Sequence, residues 1–587
     1  MRVFQITTRL SILSLALSST LVSLPTFVLA AQPDAGQILQ QQQQQRQTLP
    51  DRLPALEKSK ANKPAASKPA TKTVAQVKVR AFHFEGNAGL ASESELQALV
   101  ADSVGKPLTF ADLQGLAERI TAYLKKKGFF LASAYLPQQD VTSGVIQFTL
   151  LSGKLQHALT INGHNLRLKP TQLQAIADHA IPADAALQVE DLERAMLLMN
   201  DLPGMQVRSS LAPSNTPGVA QLVLDASEGP AFSSRLSADN YGNQYTGIHR
   251  AVGNLSWQDP ARVGDQLSLN WTNATDLTSG QLDYSVPIHP NGARVNLSLS
   301  RLRFRVGEEF KALDITGSAQ TFAVSASYPI IRSRALNVWS SLGYTGKSLQ
   351  DRTANIATRD KQINARNLSV SGDSYDSWGG GGLNSFSFSF TGGELDLSRV
   401  AGDLAADSTT AGTQGDYAKL NYSIARLQQI TPALSFFSAL NGQYAGQNLD
   451  SSEKFILGGP SGVRAYPSGE ASGDRGEIIN LELRYDLPTN RFSDFGQWQL
   501  VTFADAGHIR LYDTPWTGAI TNISGTNEYL LTGAGIGLNL TQSSRYAVRT
   551  AWASQLGRDN PGRTTAGLNS DGKSGNNSFW LQALAWF

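Results

Sequence analysis

Phe455-Ile456-Leu457-Gly458-Gly459-Pro460-Ser461-Gly462-Val463-Arg464-Ala465-Tyr466-Pro467 leads through a Gly/Ser/Asp-rich passage into Glu477-Ile478-Ile479-Asn480-Leu481-Glu482-Leu483-Arg484-Tyr485. The second half alternates: Ile479, Leu481, Leu483, Tyr485 and Leu487 share one face, and Asn480, Glu482, Arg484 and Asp486 the other. That period marks a strand with one apolar and one charged side. The first half is too rich in glycine and proline for a strand and carries one arginine, Arg464, at its middle. A long structured loop feeding such a strand points to a loop folded into a water-filled barrel.

Working outward, 587 residues exceed one ordinary core, so several domains are expected. A net charge of +2 gives no ground for a nucleic-acid partner. The absence of cysteine excludes a disulfide framework or thiolate metal site and fits an oxidising compartment. Residues 1–30 read as an export signal: Arg2 and Arg9 precede an apolar run from Leu10 to Leu24, and Val28-Leu29-Ala30 offers a cleavage site. No later apolar run is long enough for a membrane helix, so an exported chain that spans a membrane must do so as a closed barrel.

Residues 31–75 are of low complexity, with unbroken glutamine from Gln40 to Gln45 and a Lys/Pro/Ala tract over 54–72. Residues 49–75 read as a flexible linker, while Asp34 to Gln47 could form a short polar helix with no core to join. Globular texture begins at 76. Ser92-x-x-Glu95 and Thr109-x-x-Asp112 are capping-box signals ahead of two helices, and strands flank them, giving β-α-α-β-β over 76–152. The same order recurs over 153–228, with helices expected at 170–180 and 189–200 and strands at 205–211 and 219–226. Sheet edges in such units can bind extended peptide.

From 230 to 587 sixteen strands are expected: 232–243, 246–258, 265–276, 279–288, 292–305, 317–329, 335–349, 364–373, 382–395, 414–428, 434–448, 475–487, 498–510, 528–541, 546–556 and 578–587. Phe386, Phe388 and Phe390 alternating with serines show the pattern plainly; 301–306 switches phase. An even number of strands of about 10 residues, apolar outside and polar inside, is the signature of a transmembrane antiparallel β-barrel. The last strand ends on Phe587, which suits a barrel closed by its own final strand.

Enzyme chemistry has little to stand on. The seven histidines are scattered without metal-ligand spacing, and Gly533-Ala534-Gly535-Ile536-Gly537 lies within a strand with no helix after it. No cofactor or metal site is expected. What stands out is Arg464 in the loop and Asp505 in Phe503-Ala504-Asp505-Ala506-Gly507. If the loop folds inward, a bidentate pair would pin it. By residue type alone, two lumen charges facing water are the commoner explanation.

Val463-Arg464-Ala465-Tyr466, the Phe503-to-Gly507 strand and two β-α-α-β-β units before a sixteen-strand barrel resemble the outer-membrane transporters of two-partner (type Vb) secretion, the haemolysin and filamentous-haemagglutinin transporters. Three further stretches share the likeness: Gly128-Phe129-Phe130 through Tyr135-Leu136-Pro137-Gln138-Gln139-Asp140, Leu202-Pro203-Gly204 to Gly218, and Asp239-Asn240-Tyr241-Gly242 to Thr246-Gly247. The resemblance implies two periplasmic POTRA domains, 76–152 and 153–228, and an outer-membrane barrel over 230–587 with an inward loop at 449–474. It implies a plug helix within 31–48, and a lock between loop and barrel made by Val463, Arg464, Tyr466, Phe503, Asp505 and Gly507. The implied partners are an unfolded exoprotein encoded nearby, outer-membrane lipid, and the barrel-assembly machinery acting on the Phe587 strand. Transport would run without nucleotide, driven by folding of the cargo outside. An insertase of the same superfamily is the alternative. Ala465 stands where the family usually has glycine, and alanine does not readily take positive φ, so a shifted loop tip is expected.

Overall fold

The computed structural model describes residues 33–45, 76–156, 159–163, 165–182, 185–216, 218–488, 493–543, 545–557 and 560–587. The expected export signal and linker lie outside the described residues.

In the first globular unit, helices Glu93–Val100 and Phe110–Lys126 cover a sheet of Ala81–Glu85, Val145–Leu151 and Ser133–Tyr135. Ser92 with Glu95, and Thr109 with Asp112, form reciprocal capping boxes that satisfy the first free N–H groups of each helix. Phe82, Leu96, Leu116, Ile120, Ile146 and Phe148 make its core. One strand was not expected: Pro107–Thr109 pairs with Gln76–Lys78, because the extended backbone that Thr109 needs as a cap continues into a ladder.

The second unit has helices Pro170–Ala180 and Val189–Asn200 over a sheet centred on Val219–Glu228. Met205–Pro213 forms one edge, and Lys154–Leu155 with Thr160–Asn162 the other. This unit sits against the near rim of the barrel. Arg332 donates to both oxygens of Asp201 (2.8 and 2.6 Å), and Arg194 reaches the carbonyl of Pro329 at 3.1 Å. Gly264 and Gly292, both at positive φ in rim turns, leave room for Leu202 and Leu198.

The barrel closes over sixteen antiparallel strands. They are β1 (Phe232–Asp239), β2 (Arg250–Gln258), β3 (Gln266–Ala274), β4 (Leu277–Pro287), β5 (Arg294–Arg305), β6 (Ile315–Arg332), β7 (Leu336–Thr353), β8 (Ile356–Asp376), β9 (Gly382–Asp396), β10 (Gly415–Gln429), β11 (Leu434–Ala445), β12 (Arg475–Asp486), β13 (Gln497–Arg510), β14 (Glu528–Gln542), β15 (Tyr546–Gln555) and β16 (Asn577–Trp586). β16 pairs with β1 from Arg235↔Trp586 to Asp239↔Gln582, and Phe587 exchanges two backbone bonds with Ser234 (3.0 and 2.9 Å). β6, β7 and β8 outrun the expected spans and project at the far rim. A short helix, Ala401–Ser408, lies in the β9–β10 loop, where none was expected.

Outward positions form the apolar band: Leu236, Leu269, Leu299, Phe322, Leu342, Phe390, Leu481, Ile536 and Phe579 are all exposed. The phase switch at 301–306 is not a slip in register. Leu297 and Leu299 face outward, and so do Arg301, Arg303 and Arg305 two residues apart, while Leu302 and Phe304 face inward and are buried. Above the band the environments exchange: the outside becomes polar and the inside apolar.

The inside is apolar because it is filled. Helix α1 (Ala35–Gln44) lies in the far half of the lumen, capped by Asp34, whose carboxylate accepts from the Gln37 N–H at 2.9 Å. It was expected to have no core to join. Instead Ala35, Ile38 and Leu39 pack with Leu302, Phe304, Ala319, Leu349, Ile363 and other inward residues of the far wall. Burying two aliphatic side chains there contributes about 1.5–3 kcal/mol each.

Candidate functional site

The β11–β12 connection, residues 446–474, turns into the barrel rather than away from it. A small hairpin, Phe455–Ile456 against Ser472–Gly473, stiffens its stem. At the tip, the Gly462 N–H donates to the Gly459 carbonyl (3.0 Å) and the Val463 N–H to that of Leu457 (2.8 Å). A Cβ at Gly462 would lie 1.9 Å from the Leu457 oxygen, so this turn closes only with glycine.

That turn carries Arg464 to the wall. Its Nε and Nη2 donate to the two oxygens of Asp505 (2.9 and 2.7 Å), and its backbone N–H donates to the same carboxylate at 3.0 Å. Nη1 donates to Glu482 on β12 at 2.5 Å. The guanidinium carbon stands 3.6 Å from the centre of the Phe503 ring. The Asp505 side chain is 0 % exposed and that of Arg464 12 %, so the pair is a desolvated fork–fork contact and not two charges facing water. Burial lowers the Arg464 pKa, but the bonds and charges of Asp505 and Glu482 together outweigh it and hold the group above its ordinary value.

The neighbouring residues complete the fit. Val463 is fully buried over Gly507, whose Cβ would lie 2.8 Å from Val463 Cγ2. The Tyr466 hydroxyl donates to the Thr532 carbonyl at 3.3 Å. Ala465 is not among the residues at positive φ, so the expected shift of the tip has no backbone cause. Its methyl instead fills the space beside Gly533, where a Cβ would come within 2.5 Å of it. The glycines of Gly533-Ala534-Gly535 therefore thin the wall under the loop, Gly535 making room for Phe503 in the same way.

Three contributors were not singled out from the sequence. Glu482 is shared between Arg464 and Arg484, whose Nη2 lies 2.7 Å from it. Asn480 donates to both Asp505 (2.7 Å) and the Gly462 carbonyl (2.9 Å). Trp580, on the closing strand, donates its indole N–H to the Arg464 carbonyl at 2.8 Å.

The loop stem also grips α1. Ser451 Oγ donates to Asp34 (2.9 Å), Gln40 donates to the Ser452 carbonyl, and Gln44 to that of Ile456 (2.9 Å). From the wall, Arg359 holds Asp34 at 3.0 Å, and Asp351 accepts from the Ala35 N–H at 3.0 Å. Lysines secure the stem itself: Lys361 with Asp450 (2.5 Å), and Lys347 and Lys419 with Glu453 (2.6 and 2.8 Å). Burial pushes the Glu453 and Asp450 carboxyls up, but the lysines beside them win and hold both at about 2.

A family model described as haemolysin secretion/activation protein ShlB/FhaC/HecB matches residues 218–540, more than half of the chain. The chain belongs to this family. A ShlB-type POTRA domain model matches residues 77–153. Over 599 residues, 99 % of each chain, the sequence is 26 % identical to the heme/hemopexin transporter protein HuxB of Haemophilus influenzae strain 86-028NP. It is 25 % identical to the outer membrane transporter CdiB of Dickeya dadantii over 443 residues, 72 % of this chain and 74 % of that one. The fold is that of CdiB from Escherichia coli, with a TM-score of 0.72 at 17 % identity over 95 % of this chain and all of the other. CdiB from Acinetobacter baumannii gives 0.61, also at 17 %, over 89 % and 93 %. As a member of the family, the protein is an outer-membrane translocator of two-partner secretion that moves a partner exoprotein, with its N-terminal POTRA region in the periplasm. The near rim of the barrel is thus periplasmic and the far rim faces outward.

Proposed function

We propose that helix α1 holds this translocator in a closed resting state that cargo opens, and that the Arg464–Asp505 clasp keeps the inward loop docked throughout. The observation that carries the reading is that one inward loop makes both contacts: its tip is clasped to β12 and β13, and its stem bonds the plug-like helix. A chain in transit needs the space α1 occupies, so α1 leaves or shifts, while the clasp keeps the loop ordered against the wall. No nucleotide is used; folding of the cargo outside makes each step irreversible.

Residues 153–228 act as a second POTRA domain. The free edge of Met205–Pro213 suits an extended cargo segment, because strand addition supplies backbone bonds with little demand on side chains. The cargo is a large exoprotein encoded beside this gene, unfolded in the periplasm. Full-length similarity to a heme/hemopexin transporter favours a haem-acquiring cargo over a contact-dependent toxin. The barrel-assembly machinery inserts the chain through the Phe587 strand, and outer-membrane lipid surrounds the apolar band.

Secretion of that exoprotein is the test, compared at equal barrel levels. Arg464→Ala should cut secretion sharply. Of the neighbours Ser209 and Ser210, one points its N–H to the free edge; proline there should abolish secretion while the barrel still assembles. Normal secretion by both variants would refute the clasp and the docking edge alike. No secretion by the unaltered protein, with other barrels lost on its deletion, would favour an insertase.

A further inference from the structure

Arg301, Arg303 and Arg305 project from the outer wall of β5, exposed one above another, over outward-facing Leu297 and Leu299. Arg352 joins them across the ladder, since Arg305 pairs with Thr316 and Thr316 with Arg352. Along the strand the arginines span roughly 14 Å, and across it roughly 10 Å. Among the described residues Arg301 and Arg303 have no acidic partner; Arg305 lies 3.7 Å from Asp314, and Arg352 donates to Gln350 at 3.1 Å. The outward neighbours Thr278, Thr316, Ser318 and Gln320 are uncharged. Acidic groups bound the patch: Asp276 lines one edge, and Asp360, on the other, is engaged by Arg399 and Gln350.

The surface is recessed as well as charged. A groove of about 560 Å³ runs between Thr278, Arg303, Arg305, Ser318 and Arg352. A second, of about 570 Å³, has Arg301 at its upper edge and Leu269, Leu282, Leu299 and Phe322 as walls. Gly280 and Gly346 open its floor: a Cβ at either would touch nothing closer than 3.7 Å. The arrangement is amphipathic, cationic toward the outside and apolar toward the membrane. Charge on the lipid face is costly at the midplane and tolerated only near the headgroups. On the opposite side of the barrel, exposed Glu477 and Glu528 stand at the outer strand ends, so the basic patch is not a general feature of the rim.

We propose that this patch is a binding site for a phosphorylated glycolipid of the outer leaflet, with two phosphates on the arginines and acyl chains along the lower groove. Arginine forks match phosphate oxygens bidentately, and a lipid with a single phosphodiester charge cannot engage four of them. The site rests on the outward placement of the far rim; it lies on the outer face of β5, whose inner face packs Leu302 and Phe304 against α1, and it is read by bound lipid. Its occupancy is therefore read independently of secretion.

The full-length protein, purified in mild detergent, would be mixed with bis-phosphorylated lipid A, and bound lipid counted by native mass spectrometry. Monophosphorylated lipid A, phosphatidylglycerol and free inorganic phosphate are the comparison arms. A basic residue facing anionic lipid contributes about fivefold in affinity, so R301Q/R303Q/R305Q should lose on the order of 100-fold. Heat-modifiable electrophoretic mobility shows that this variant is folded. The unaltered protein should also bind the monophosphorylated form at least tenfold more weakly, a comparison that needs no mutation. Equal binding by variant and unaltered protein, equal binding of phosphatidylglycerol, or competition by phosphate alone would each overturn the proposal.

Discussion

Replacing Arg464 with alanine tests the clasp most directly. The substitution leaves Asp505, whose side chain is 0 % exposed, with the residue 464 backbone N–H and the Asn480 amide as its donors among the described residues. Removing one partner of a buried ion pair costs about 3–5 kcal/mol. The two surviving donors put this case at the low end, about 3 kcal/mol, including the lost contact over Phe503. At 1.4 kcal/mol per tenfold, the undocked fraction of the loop should rise on the order of 100-fold. The chain has no cysteine, so Ser468→Cys, at a position 5 % exposed on the same loop, introduces a unique thiol. Its maleimide labelling rate reports loop opening when closing is fast. Arg464→Ala should accelerate labelling about 100-fold, and Arg464→Lys about tenfold, because a lysine cannot fork across Asp505 and Glu482 together. In the double variant with Asp505→Ala the two effects should not multiply; the coupling should reach at least ~2 kcal/mol. Rates that simply multiply would mean that Arg464 and Asp505 touch without holding the loop.

Three further outcomes follow from the same geometry. Gly533→Ala should undock the tip by forcing its new methyl onto that of Ala465, and adding Ala465→Gly should restore docking in the thiol assay; failure of the rescue would mean the two positions do not meet. Gly36→Val should expel α1, since a Cβ there falls 2.4 Å from Ser451 Oγ and 2.6 Å from the Ser452 nitrogen. Single-channel conductance should then match that of a chain lacking 33–45, and wild-type conductance would show that α1 does not occlude the pore. Acid should loosen the stem. Asp450 and Glu453 are held at about 2, below ordinary values of 3.8 and 4.5, so their contribution is complete above about pH 4.5 and is lost as pH falls toward 2. Channel openings should increase only within that window, and an increase confined to neutral pH would assign the gating to other groups.

The barrel was legible because its physics is local. Strands such as Phe386-Ser387-Phe388-Ser389-Phe390 carry lipid on one side and water on the other, and a period of two records that difference residue by residue. The signal failed where the environment changes along one strand. Around Leu302 and Phe304 the apolar side becomes the inside, because α1 lies there, and a reader who assumes one inside and one outside sees a phase error. The glutamine run misled for a related reason. Gln40, Gln44 and Gln45 bond backbone carbonyls of the loop and wall, while Ile38 and Leu39, just ahead of the run, supply the apolar face. A helix expected to need only water is held by a core assembled from residues more than 200 positions away in sequence.

The clasp shows how far residue type carries and what it leaves out. Arg464 and Asp505 stood out as single charges among small residues, but charge alone could not tell a buried fork from two groups in water. Register could have added more. The spans 475–487 and 498–510, paired end to end as a hairpin, align Asn480 with Asp505 and Glu482 with Phe503, which is the pairing observed. Those alignments put a second carboxylate and an amide on the same inward face beside Asp505. Arg484 on that face can serve Glu482 but leaves Asp505 without a cation, and the arginine-bearing loop is the nearest segment able to supply one. Only Trp580 escapes this reasoning, because its contact crosses to the last strand of the barrel and depends on closure.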